Sequence, residues 1–122
     1  MNVLLDSVIV IDHLNGIEAA TRYLAQHRGA AAISVITRAE VLAGLDRDEG
    51  ALGARFLDCF PTLGIDKSIA DFAAELRRRQ GWKLPDAFQA AIAQHHGLKL
   101  VTRNVKDFPP RKFDFVAIPY AA

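Results

Sequence analysis

Four carboxylates in this chain stand where an α/β fold collects its ligands. Asp6 directly follows the apolar run Val3-Leu4-Leu5, and Glu40 lies on the helix expected after a second strand. Asp86 falls in the first turn of a later helix, and Asp107 follows a strand ending at Thr102. In an open parallel sheet, ligands bind just beyond the carboxyl ends of the strands. A doubly wound order would bring all four to one edge. Carboxylates assembled with no lysine or arginine between them repel, so the assembly calls for a counter-charge. Magnesium or manganese supplies it best, because hard cations prefer oxygen ligands. Such an ion activates water and stabilises the charge that builds on a phosphate during in-line displacement. The candidate metal ligands and catalytic residues are therefore Asp6, Glu40, Asp86 and Asp107. Ser7, Thr102 and Asn104 are candidates for binding water or supporting the ligands.

Each carboxylate also has an ordinary reading when taken alone. Asp6 could cap a helix, Glu40 could be a solvated helix residue, and Asp86 could favour its helix N-terminus through the dipole. Asp107 could be one polar residue in a polar loop. Asp66 reads as a helix cap and Asp12 as a helix-surface residue. The functional reading rests on the set of four, each in the right supersecondary context.

The elements that must position them follow in order. Asn2 to Asp6 reads as a buried strand, because its apolar residues are consecutive rather than alternating. Ser7 to Leu14 fits a short helix. Ile17 to Arg28 is predicted as a second helix stopped by Gly29, with Ala20, Tyr23, Leu24 and His27 on one side. Ala30 to Ile33 is a weak strand before Ser34, a good N-cap. In the next helix, Val35 to Leu45, the residues Val35, Ile36, Ala39, Leu42 and Ala43 are expected to share the core face, with Glu40 at its border. Asp46 to Phe60 holds an amphipathic segment with Leu52, Phe56 and Leu57 inward. Thr62 to Ile65 is a strand, and Lys67 to Gln80 a helix with Ile69, Phe72, Ala73 and Leu76 as its stripe. A further helix begins near Pro85, suited to the first helical position, and runs to His96. Leu98 to Thr102 and Phe113 to Ile118 are the last strands. Strands alternating with helices favour a three-layer α/β/α sandwich around a mostly parallel five-stranded sheet.

Bulk properties narrow the class. A length of 122 residues suits a single domain over 1–122 with a real core. No apolar run approaches a membrane span, and Asp6 interrupts the first apolar segment too early for a signal peptide. With Cys59 the sole cysteine, no internal disulfide can form, which points to the reducing cytoplasm. A net charge of +1 is too small for nucleic-acid binding by the whole surface, so any such binding needs a local patch. Neither G-x-G-x-x-G nor G-x-x-x-x-G-K-[ST] occurs, which leaves nucleotide-binding readings without support.

Four local sequences carry a resemblance. They are Leu4-Leu5-Asp6-Ser7-Val8-Ile9-Val10-Ile11-Asp12-His13-Leu14, Ile33-Ser34-Val35-Ile36-Thr37-Arg38-Ala39-Glu40-Val41-Leu42-Ala43-Gly44, Leu84-Pro85-Asp86-Ala87-Phe88-Gln89-Ala90-Ala91-Ile92-Ala93 and Leu100-Val101-Thr102-Arg103-Asn104-Val105-Lys106-Asp107-Phe108. Together they closely resemble the PIN-domain ribonucleases, and within these the VapC toxins of toxin–antitoxin pairs. The resemblance covers nearly the whole chain, least distinctly from Asp46 to Phe60. It implies a magnesium- or manganese-dependent endoribonuclease that acts on RNA, forms a homodimer and is held inactive by a cognate antitoxin. DNA would be reached only through that antitoxin. An antitoxin arginine entering the acidic cluster would replace the cation's charge. By motif, Asp6, Glu40, Asp86 and the acidic position of the last motif would carry the metal. Asn104 or Asp107 could fill that fourth place; Asp107 is preferred, because a carboxylate binds a cation more strongly than an amide. Family members often have a small polar residue where this chain has Val8, so any hydrogen bond made there is absent.

RNA needs positive charge beside the acidic site. Arg77, Arg78 and Arg79 form one candidate patch, although they also suit a helix C-terminus. Arg38, Lys83, Arg103 and Lys106 lie nearer the motifs. Helices Ile17 to Arg28 and Asp46 to Phe60 could form the groove for an antitoxin. Two rival readings remain. A receiver-like signalling domain needs an acidic pair after strand one and a lysine after strand five, and neither Asp6-Ser7 nor Ile118-Pro119-Tyr120 supplies them. A catalytically inactive PIN-like module that only binds its partner or RNA is disfavoured by the intact acidic set.

Overall fold

A computed structural model describes residues 1–121. Five strands form one sheet: β1 (Val3–Leu5), β2 (Ala31–Ser34), β3 (Thr62–Leu63), β4 (Lys99–Val101) and β5 (Val116–Ala117). Their order is β3-β2-β1-β4-β5, and every pairing is parallel. The chain first winds outward from β1 through β2 to β3, then returns to the other side of β1. The switch point therefore lies between β1 and β4, the place where an open α/β sheet leaves a crevice.

Six helices cover the sheet: α1 (Ser7–Leu14), α2 (Glu18–Gln26), α3 (Val35–Ala43), α4 (Arg47–Leu57), α5 (Lys67–Gln80) and α6 (Leu84–His95). Alternate residues of β1 face opposite layers, as strand geometry requires. Leu4, with Ala32 and Leu100, packs on the α5–α6 side with Phe108 and Trp82. Val3 and Leu5, with Ala31, Ile33 and Val101, pack on the α1–α3–α4 side with Ile9, Val41 and Leu57. This is the expected three-layer sandwich, with a wholly parallel sheet. Ala31 and Ala32 have little strand preference of their own. They are extended because β1 and β3 flank them and both faces are covered.

Several expectations need correction. The face of α3 turned to the core carries Thr37 and Val41, while Val35 is 39% exposed. Thr37 goes inward because its hydroxyl donates to the Leu5 carbonyl at 3.2 Å, which leaves Val35 at the open end of the helix. Leu52 on α4 is 66% exposed rather than inward, because Gly53 and Leu57 form the buried edge of that helix. Pro85 is the second residue of α6, one place later than predicted. Asp66 does cap α5, accepting from the Ile69 amide at 2.9 Å. Gly81 ends α5 at φ +74°, a left-handed conformation that suits glycine. That turn sends Trp82 into the core and starts α6 at the crevice. No helix among the described residues is long and apolar enough to cross a membrane.

Leu4 is fully buried at the centre of the sheet. Leu4→Ala should lower unfolding stability by about 2–5 kcal/mol, read from urea denaturation of the two proteins.

Candidate active site

Register places the first carboxylate. Leu5 pairs with Val101, so Asp6 arrives beside Thr102 at the carboxyl ends of β1 and β4. Its amide donates to the Val101 carbonyl at 2.9 Å, continuing the ladder by one bond. Asp6 also opens α1, its Oδ1 accepting from the Ser7 amide at 2.8 Å. It is only 8% exposed. A carboxylate so placed must have its oxygens satisfied. Thr102 Oγ1 donates to Oδ2 at 2.7 Å, and Gln89 Nε2 donates to Oδ1 at 3.3 Å.

Gln89 lies on α6, one turn after Asp86, and is the hub of a buried network. Its Nε2 also donates to Thr37 Oγ1 at 2.7 Å, and its Oε1 accepts from Ser34 Oγ at 2.7 Å. Ser34 Oγ in turn accepts from the Thr37 amide at 3.1 Å, capping α3. Turning the amide over would set Oε1 against the Asp6 carboxylate, so the partners fix its orientation. Among the described residues no buried side-chain nitrogen or oxygen lacks a partner. Neither Gln89 nor Thr37 was singled out in the sequence. The signal was present for Gln89: it is the one polar side chain in the run Ala87 to Ala93.

Asp6, Ser7, Val8, Glu40, Asp86, Arg103 and Asn104 line one cleft of about 280 Å³ at this edge. Glu40 is exposed at its rim, and Asp86 is partly buried. A solvated carboxylate in the first turn of a helix is favoured as an anion. Asp86 is displaced the other way, from 3.8 to about 6. Burial is the main cause, followed by the charges of Asp6, Asp107 and Glu40, while Lys83 opposes them.

Asp107 does not line the cleft. Its Oδ2 accepts from Asn104 Nδ2 at 3.0 Å, and its amide donates to Asn104 Oδ1 at 3.2 Å. Its carbonyl accepts from the Trp82 indole at 3.0 Å. Its charge still reaches Asp86, yet the side chain directly on the cleft is that of Asn104. The Asn104 amide donates to Thr102 Oγ1 at 3.1 Å, tying this turn to the hydroxyl that holds Asp6.

The cations are placed unevenly. The carboxylates are not free of basic company, because Arg103 lines the cleft and Lys83 acts on Asp86. Arg103 is ion-paired to Asp12, with Nε to Oδ2 at 2.7 Å and Nη2 to Oδ1 at 3.1 Å. Asp12 is thus no helix-surface residue: it is 8% exposed and also accepts from the Tyr120 hydroxyl at 2.9 Å. Burial pushes its carboxyl up, but the two hydrogen-bond donors and the guanidinium charge outweigh that and hold it below the ordinary value. Arg38 is paired with Asp58 at 2.8 Å. Arg77 donates to the Trp82 carbonyl, and Arg79 pairs with Glu75 at 3.5 Å. Arg78 and Lys106 remain exposed without an ion pair among the described residues.

The donor chemistry of the cleft is all oxygen, from Asp6, Glu40, Asp86 and the Asn104 amide, with no histidine or cysteine. That fits magnesium or manganese and not a structural zinc. Oδ2 of Asp6 has a lone pair left after Thr102. As the side chains stand, no three His, Cys, Asp or Glu residues among those described are grouped so as to hold a metal ion. Glu40, in the second turn of α3, is exposed at the rim of the cleft, and Asp86, in the first turn of α6, is partly buried.

Comparison with known proteins bears on the family and the fold. The family described as PIN domain matches residues 3–110. Ribonuclease VapC10 of Mycobacterium tuberculosis is 34% identical over 126 aligned residues, covering 98% of this chain and 93% of that protein. Ribonuclease VapC19 of the same organism is 32% identical over 87% of this chain and 91% of its own length. A solved toxin–antitoxin complex from Klebsiella pneumoniae superposes with a TM-score of 0.90 at 36% identity, covering 99% of this chain and 100% of that one.

Two predictions follow from the network and the cleft. Gln89→Leu keeps much of the volume but strips partners from Ser34, Thr37 and Asp6; it should cost about 2–4 kcal/mol in urea unfolding. A loss within about 0.5 kcal/mol, the range of an ordinary surface substitution, would deny the network a structural role. For Asp86, the raised folded value means that the native state binds more protons than the unfolded chain between 3.8 and about 6. Its contribution should therefore fall as pH rises through that window, by on the order of 2 kcal/mol with solvent screening included. Unfolding in chelator across that range should show the wild-type protein losing stability relative to Asp86→Asn. Parallel curves would mean that the carboxylate is not displaced.

Proposed function

The chain belongs to the PIN-domain family, and on that premise we propose that it is a metal-dependent endoribonuclease acting as the toxin of a toxin–antitoxin pair. The observation that carries this reading is the single cleft at the β1–β4 switch point, lined by Asp6, Glu40 and Asp86 with oxygen donors only. Asp6, Glu40 and Asp86 would hold a magnesium or manganese ion, with Asn104 beside them and Asp107 behind it. The bound cation supplies Lewis acidity toward the phosphodiester and lowers the pKa of the attacking water.

The chain's own residues prepare for this. Thr102, Gln89 and the Ser7 amide hold Asp6 in one orientation, so a ligand is in place before the cation arrives. Asp86, lifted to about 6, keeps part of its population protonated in the mildly acidic range and gives up that proton as positive charge enters. Lys83 at the start of α6 and the exposed Lys106 add positive charge along the approach of an RNA backbone.

An antitoxin is the partner this reading implies. Leu24 and Ala25 of α2 with Phe56 of α4, Phe60 and Pro61 line an apolar recess of about 580 Å³ on the α1–α4 side. A recess of that character takes the apolar face of a partner segment. A reducing cytoplasm is where such a protein would act, which the exposed, unpaired Cys59 suits.

The test separates an active nuclease from an inactive binding module. Purified protein should cleave single-stranded RNA in magnesium or manganese and not in chelator, and Asp6→Asn and Asp86→Asn should each remove cleavage while leaving a folded protein. Manganese should raise the wild-type melting temperature, since binding to the native state alone adds about 2.7 kcal/mol at roughly one hundred times Kd. Asp86→Asn should lose most of that shift. Equal shifts in the two proteins would exclude Asp86 as a ligand.

A further inference from the structure

Arg103 is the one cationic residue lining the acidic cleft. Asp6, Glu40 and Asp86 line the same cleft, yet its guanidinium is hydrogen-bonded to none of them. It is bound instead to Asp12, in the second turn of α1, through two bonds of 2.7 and 3.1 Å. The Tyr120 hydroxyl, near the C-terminal end of the chain, supports the same Asp12 oxygen at 2.9 Å. Nη1 of Arg103 makes no hydrogen bond among the described residues.

The arrangement has a physical consequence. A long, solvated arginine beside a carboxylate cluster would fold onto it, neutralise it and compete with any cation. Asp12 prevents this by committing Nε and Nη2. A planar guanidinium held by one edge presents its other edge at a fixed angle, the geometry that suits a phosphate oxygen. Burying Asp12 under Tyr120 costs desolvation, and an ordinary surface pair would return little for it. Here the donors to Asp12 outweigh that cost, so the clamp adds stability and at the same time fixes Arg103 at the cleft.

Resting on the ribonuclease reading, we propose that Arg103 contacts a non-bridging oxygen of the RNA phosphodiester in the cleft, and that Asp12 and Tyr120 are positioning residues that aim it. The guanidinium stabilises the negative charge that gathers on the phosphate as the bond to the leaving oxygen breaks. It moves no proton.

The experiment compares wild type, Arg103→Ala, Asp12→Asn, Tyr120→Phe and each of the last two combined with Arg103→Ala. The readouts are the affinity of a short single-stranded RNA in chelator over a salt series, kcat and KM in magnesium, and the melting temperature. Arg103→Ala should reduce the salt slope by about 1 and lower kcat/KM roughly a hundredfold. Asp12→Asn should lower kcat/KM roughly tenfold, with Tyr120→Phe having a smaller effect in the same direction. On the Arg103→Ala background, neither should reduce kcat/KM further, whatever either does to melting. A merely structural clamp would instead lower the melting temperature and leave kcat/KM losses that add to that of Arg103→Ala. Additive losses, or an Arg103→Ala protein with an unchanged salt slope and kcat/KM, would overturn the proposal while the nuclease stands. A wild-type protein that neither binds nor cleaves RNA would overturn both. If Asp12→Asn does not fold, the Tyr120→Phe pair, which removes only a hydroxyl, carries the same comparison.

Discussion

The structure turns on keeping one carboxylate, Asp6, almost out of water at the end of the central strand. A buried anion costs several kcal/mol unless its oxygens are met by donors. The three donors come from three directions: the Ser7 amide at the start of α1, Thr102 at the end of β4, and Gln89 on α6. That requirement sets the sheet order, because only β4 beside β1 in this register delivers Thr102. It also sets the place of α6, which must cross close enough for Gln89 to reach over. Gln89 then needs its own partners, which draws Ser34 from the end of β2 and Thr37 from α3 into the same cluster. The two ends of the sheet's crevice are thus joined through side chains rather than through the backbone.

Around this fixed point the protein leaves charge unbalanced. Lys83 partly offsets the field on Asp86, and Asp107, Asp6 and Glu40 outweigh it. Arg103, the cation best placed to neutralise the cleft, is diverted to Asp12. A cleft neutralised by its own side chains would have little attraction for a divalent ion. One held short of neutrality is less stable empty and binds a cation more strongly, the usual exchange of stability for function at a site. The neutral donors, Thr102 and Gln89, can hold Asp6 without cancelling it, which is why hydroxyl and amide groups do this work and not a lysine.

Much of this was legible in the sequence, and the gaps have physical causes. The alternation of elements, their helix stops and the position of Asp6 could be read because each depends on neighbours within a few residues. The inward face of α3 could not. Apolar periodicity selected Val35 and Ala39, whereas the fold turned Thr37 inward to bond the Leu5 carbonyl, a partner 32 positions away in the chain. Asp12 was misread for a related reason: a polar residue in a helix looks solvated until Arg103 and Tyr120 arrive from 91 and 108 positions away. Gln89 is a lone polar group in an alanine-rich run, but that pattern names no partner, and its role depends on Asp6, 83 positions distant. Local rules see propensity and pattern, and a buried polar network is built from pairings that neither encodes.

The turn after β4 shows how two residues can divide a function that a motif assigns to one. Asp107 has the stronger ligand chemistry, a carboxylate against an amide. Yet one of its oxygens is engaged by Asn104 Nδ2, and its own amide returns a bond to Asn104 Oδ1. This reciprocal pair closes the turn, with the Trp82 indole on the Asp107 carbonyl and Thr102 Oγ1 on the Asn104 amide holding it from either side. Asn104 then faces the cleft with its side chain oriented, while Asp107 acts on Asp86 through space. On the metal-dependent reading, a charge one layer back would raise the cleft's attraction for a cation without adding a further anion to its wall, where repulsion would be greatest. The motif is therefore better read as a unit of four residues, Thr102 to hold Asp6, Arg103 to face the cleft from Asp12, Asn104 to line it and Asp107 to charge it from behind.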